Sequence, residues 1–108
     1  MAGVAQIVNS LGQGGVETLS SRIASALAEA RLGSHLVVTA KGPVELAYAM
    51  APSVEVWSAE RQFALDLGAL RRMGRYFDSA GVDVVHSHNW VAAYHAQGAA
   101  FFARQRPV

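Results

Sequence analysis

Cysteine is absent from the 108-residue chain, which excludes disulfides, thiolate nucleophiles and cysteine metal sites. The absence fits a reducing compartment. Charge is also scarce: charged residues are 16% of the chain and the formal net charge is +1, so no overall field draws the protein toward nucleic acid. Nucleic acid is not an expected partner. No apolar run approaches the roughly 20 residues that a membrane span needs, and no basic segment leads into a long apolar stretch at the amino terminus. A cytoplasmic location is expected. The three prolines form no linker, and no internal repeat or low-complexity tract divides the chain. Apolar residues are plentiful, at 52%, enough for a packed core and too many for a disordered chain. One domain is expected over residues 1–108, small for a complete two-substrate enzyme.

Short apolar runs alternate with helical patterns. Residues 4–8 read as a buried strand, followed by a loop in which Gly12, Gly14 and Gly15 fall within four positions. Val16, Leu19, Ile23, Ala26, Leu27 and Ala30 then recur at helical spacing, and Gly33 is placed to end that helix. Residues 35–39 (HLVVT) and 54–57 (VEVW) read as strands, with a short helix expected around residues 44–50. Phe63, Leu67, Leu70, Met73 and Phe77 trace a second helical stripe that stops near Gly81. Residues 82–87 (VDVVHS) form a further expected strand, and residues 91–104 an alanine-rich helix.

Strands alternating with helices of about 14 residues predict an α/β fold, a doubly wound parallel sheet of Rossmann-like type. The expected spatial order is 3-2-1-4, which sets the first strand beside the fourth. Ligands of such sheets bind at that reversal, outside the carboxyl ends of the strands. The glycine loop and the segment HSHNW, residues 86–90, therefore face one crevice.

Gly14 and Gly15 precede a helix whose free N–H groups and positive dipole end attract an anion, phosphate above all. The dinucleotide fingerprint fails, because Glu17 stands where a third glycine is required, and no Gly-Lys-Ser/Thr follows for a phosphate-binding P-loop. A plain strand-to-helix turn is the competing reading, and Glu17 stabilises a first helical turn in either case. His86 and His88 alternate at the end of a strand, so their side chains share a face. With His95 as a distant third ligand and no carboxylate within five residues after His88, no metal site is expected. His86, inside the strand, is expected to face the core. His88, followed by Asn89 and Trp90, is the candidate for hydrogen bonding or proton handling.

The stretches GQGGVETLSSRIASALAEARLGSHLVVT and VDVVHSHNWVAAYHAQGAAFFARQRPV resemble the N-terminal domain of a family 4 glycosyltransferase of GT-B architecture. Gly14, Gly15 and Glu17 match that family's G-G-x-E loop, and His86, His88 and Trp90 its H-x-H-x-x stretch. The resemblance implies retaining, metal-free transfer of a sugar from a nucleotide-sugar to an acceptor, a small molecule or a lipid-linked sugar. It implies no cofactor beyond the nucleotide-sugar donor substrate. The Gly14 and Gly15 amides would approach the donor phosphate, and His88 would lie at the reacting centre. Acceptor-side candidates are Lys41, Asn89 and Trp90; a solvated loop lysine is the other reading of Lys41.

The resemblance also implies that the domain is truncated before its last strands and lacks the C-terminal donor domain, which would act in cis or in trans. The chain alone is then expected to be inactive. Two alternatives stand beside this reading: a separate phosphate- or nucleotide-binding module, and one subunit of a split transferase. Arg61, Arg71, Arg72 and Arg75 form a basic cluster that could touch an anionic membrane surface, against the simpler reading of a solvated helix face. Self-association, giving a homo-oligomer, is expected through the outer edge of the fourth strand.

Overall fold

A computed structural model describes residues 2–9, 15–40, 53–63, 66–88, 90–104 and 107. Among the described residues, four strands and three helices follow in the order β1 (Gly3–Val8), α1 (Gly15–Glu29), β2 (Gly33–Ala40), β3 (Glu55–Arg61), α2 (Leu67–Ala80), β4 (Val82–Ser87) and α3 (Trp90–Phe102). The strands form one parallel sheet in the order β3-β2-β1-β4, as the alternation predicts. The helix expected around residues 44–50 falls outside the described residues.

The strand pleat sends alternate side chains to opposite faces, and helices cover both. Val8, Leu36 and Val38 pack with Ala24 of α1 on one face. Ala5, Ile7 and Val37 pack on the other with Met73 and Phe77 of α2 and Ala92, Ala96 and Ala99 of α3. The buried side of α1 differs from the expected stripe: Ser20, Ser21 and Ala24 are buried, whereas Leu19 is 54% exposed. These small residues let the helix lie close to the sheet, and the Ser34 hydroxyl donates to the Ala24 carbonyl at 2.6 Å.

Helix ends correct two further expectations. The left-handed residue after α1 is Arg31, at φ 66°, while Gly33 already belongs to β2. Helix α2 starts at Leu67, not at Phe63, because the Asp66 carboxylate caps it, accepting from Ala69 N at 3.1 Å. The same carboxylate accepts from Gln62 N, and these backbone donors hold it below the usual carboxylate range. Phe63, left before the cap, is exposed. Gly81 ends α2 at φ 68°, as expected. Gly3 is required by a close approach: a Cβ there would collide with the Gly81 carbonyl oxygen.

At the amino-terminal ends of the strands, the buried His35 Nδ1 lies 2.8 Å from the Tyr76 hydroxyl. That hydroxyl donates to Glu55 Oε2, so it accepts from Nδ1–H. Trp57 stacks on Tyr76 at 4.6 Å between ring centroids. Burial lowers the His35 pKa, and Glu55 offsets this only in part. Protonation of His35 therefore opposes folding: its contribution is present above the unfolded value of about 6.5 and is lost as pH falls below it. The thermal midpoint should drop between pH 7 and pH 5, and His35→Gln should flatten that slope. An unchanged slope in the variant would contradict the assignment. Burial and Glu55 raise Tyr76, so a second loss of stability is expected on the alkaline side, above about pH 10.

Candidate functional site

The order reversal lies between β1 and β4, and His88 stands there. Its backbone N–H donates to the Ile7 carbonyl at 3.2 Å, which carries the β1–β4 ladder one residue past Ser87. The ladder fixes the residue, and Gln6 fixes the ring: His88 Nε2 lies 2.7 Å from Gln6 Oε1. Gln6 is a polar side chain, 1% exposed, inside an otherwise apolar strand. A buried amide needs a partner, and His88 supplies it.

With Nε2–H donating to an amide oxygen, Nδ1 keeps its lone pair. Among the described residues that nitrogen has no hydrogen-bond partner. Burial lowers the His88 pKa, and His86 lowers it further, so the ring is neutral at pH 7 and accepts a hydrogen bond through Nδ1. The arrangement suits holding a hydroxyl, or taking a proton from one.

His86 shares the face of His88, as alternation requires; their ring centroids are 4.3 Å apart. The expectation that His86 faces the core is overturned. It is exposed, like Val84 two residues before it. The cause is the edge position of β4: α1 packs over β1 and β2, leaving this side of β4 open. His95 is buried in α3, a helix that packs on the opposite face of the sheet. The three histidines are therefore not brought together, and no group of three potential metal ligands occurs among the described residues.

Gly15 is the first residue of α1 and Trp90 the first of α3, so both open helices at the carboxyl edge that His88 occupies. Gly14, Lys41 and Asn89 lie outside the described residues.

A second polar group at this edge escapes sequence reading. Asn9 directly follows β1, and its Oδ1 accepts from Arg61 Nη2 at 2.7 Å and from the Thr39 hydroxyl at 3.0 Å. Arg61 Nη1 donates to the Phe63 carbonyl at 2.8 Å. The buried Nε has no acceptor among the described residues. Arg61 therefore reaches across the end of β2 to the end of β1, rather than joining a basic surface on α2. Arg72 is committed too, donating through Nε and Nη2 to the Ala59 carbonyl at 3.1 and 2.7 Å. Only Arg71 and Arg75 remain of the expected membrane-facing cluster as exposed arginines with no bond to another described residue.

Gln6 had a legible signal, a glutamine in the centre of VAQIV. Asn9 and Arg61 had none, being 52 residues apart. The depression of about 350 Å³ beside Arg31, Ser34, His35 and Glu55 lies at the opposite, amino-terminal end of the sheet and takes no part in the His88 site.

Compared with known proteins, the sequence model of Glycosyltransferase Family 4 matches residues 13–108. No curated protein and no solved structure matches the chain.

Proposed function

Since the chain belongs to glycosyltransferase family 4, we propose that it is the acceptor-side domain of a retaining glycosyltransferase of GT-B architecture, moving a sugar from a nucleotide-sugar to an acceptor. The observation that carries this reading is the neutral His88, aimed by a buried glutamine at the point where the strand order reverses. In the proposed arrangement the backbone at Gly14 and Gly15, at the start of α1, receives the donor phosphate. His88 Nδ1 accepts a hydroxyl hydrogen bond at the reacting centre, and Asn89, Trp90 and Lys41 flank the acceptor. The leaving nucleotide diphosphate needs positioned cations, which a donor domain supplies in cis or in trans.

The test is a transfer assay with nucleotide-sugars, run on the chain alone and with a donor domain joined or added, with the product anomer read by NMR. Transfer is expected only with the donor domain, and with retention. Inverted product would overturn the stereochemistry. Tight nucleotide binding by the chain alone, with no transfer under either condition, would instead favour a separate binding module. Turnover by the chain alone, above a Gly15→Val control, would overturn the need for a second domain.

A further inference from the structure

The geometry points to Arg61 as the binding group for an oxyanion, phosphate or carboxylate, carried by the acceptor. This deepens the transferase reading and rests on it. Three observations carry it.

The first is charge. Arg61 is only partly exposed, and its guanidinium forms no ion pair among the described residues; its partners there, Asn9 Oδ1 and the Phe63 carbonyl, are neutral. A half-buried cation held by dipoles alone retains its charge for an incoming anion. The second is preorganisation. Asn9 Oδ1 and the Phe63 carbonyl fix Nη2 and Nη1 separately, and Thr39, itself fully buried, anchors Asn9. The planar fork is thus oriented before a ligand arrives, and five N–H donors exceed the two acceptors that hold it. The buried Nε–H without an acceptor among the described residues is a further donor that the fold does not use.

The third observation separates this position from the donor phosphate. Thr39 lies on the same side of β2 as Val37, which packs with α2 and α3; α1 packs on the other face, against Val38 and Leu36. The Asn9–Thr39–Arg61 group therefore opens on one side of the carboxyl edge, and the α1 amino terminus on the other. The two positions are separated by the sheet itself. If the donor diphosphate meets the glycine loop, the oxyanion at Arg61 belongs to the second substrate.

The experiment follows the Arg61 Nε–Hε resonance of the 108-residue chain by NMR while inorganic phosphate is titrated, and then uridine diphosphate. A saturable shift with phosphate is expected. Arg61→Gln should abolish saturable binding, and Arg61→Lys, which keeps the charge without the fork, should weaken it about 10-fold. No saturable shift in the parent chain, or equal phosphate affinity in folded Arg61→Gln, would overturn the inference. Should Arg61→Gln fail to fold, the parent resonance and Arg61→Lys still decide it. Displacement of phosphate from Arg61 by uridine diphosphate would assign the anion to the donor and overturn the acceptor assignment. No sugar transfer is measured, so a chain inactive in the transfer assay can still pass, and an active one can still fail.

Discussion

His88→Ala should lower kcat for sugar transfer by about 10²-fold or more in the complete enzyme, the scale of one hydrogen bond or proton transfer made in the transition state. It should also cost stability. Removing the imidazole leaves Gln6 Oε1 buried and without its 2.7 Å partner, a penalty of about 1–3 kcal/mol. The two losses can be pulled apart with the double variant His88→Ala/Gln6→Leu, which removes both partners. Thermal midpoints should recover part of the stability, while kcat stays low. His86→Ala, at an exposed edge position, should change stability by no more than about 0.5 kcal/mol. It also removes the neighbour that helps hold His88 below its ordinary pKa, so the acid limb of the pH–rate profile should move upward. If the imidazole merely closed the sheet end, stability would fall in His88→Ala with kcat unchanged, and that result would remove His88 from the reaction.

The largest effect on stability is expected at Gly74. In α2 it faces α3 so closely that a Cβ would lie 2.8 Å from the Ala99 carbonyl oxygen, 3.0 Å from Phe102 Cβ and 3.1 Å from Ala103 N. Two of those atoms are backbone and cannot rotate away, so any side chain pushes the helices apart. Helix propensity favours alanine over glycine by about 1 kcal/mol, yet overpacking costs about 1–3 kcal/mol or more. Gly74→Ala should therefore be destabilising by about 1–2 kcal/mol, and Gly74→Val by about 3 kcal/mol or more. At about 4–8 °C per kcal/mol for a domain near this size, both are readable in a thermal melt. Gly68 in the same helix is the control. It is exposed, and its added Cβ would meet only the Arg72 and Asp66 side chains at 3.3 Å. Gly68→Ala should be neutral or stabilising, and equal losses at both positions would contradict the packing argument.

The strand order was legible because it follows from strands recurring with helical patterns between them, as α1 and α2 show. Positions at the sheet boundary were not. His86 reads as a core residue wherever a strand has neighbours on both sides and cover on both faces, and β4 lacks these at its outer edge. The start of α2 was misplaced because hydrophobic spacing continues back to Phe63, whereas a single capping carboxylate on Asp66 decides where the helix begins. Of the site, His88 was visible from its place after a strand; the amide that orients it was not picked out, although a glutamine in an apolar run is a signal that could have found it. Arg61 was grouped with its sequence neighbours in α2, because nothing local indicates that its guanidinium turns to Asn9 instead.

The interior strand β1 precedes in the chain both of the strands that flank it. Gly3 pairs with Gly33 in β2 but with Val82 in β4, and its N–H also donates to the Asp83 carboxylate, 80 residues away. Closing the longer loop costs only about 0.9 kcal/mol more than closing the shorter one, so chain entropy scarcely delays the second pairing once both partners exist. The delay lies in translation. Until residues 82–87 have left the ribosome, β1 presents one unpaired side, and Ala5 and Ile7 lack the α3 alanines that cover them. The nascent sheet therefore carries an open, apolar edge until β4 and α3 have emerged, and protecting that edge falls to whatever meets the chain during this interval.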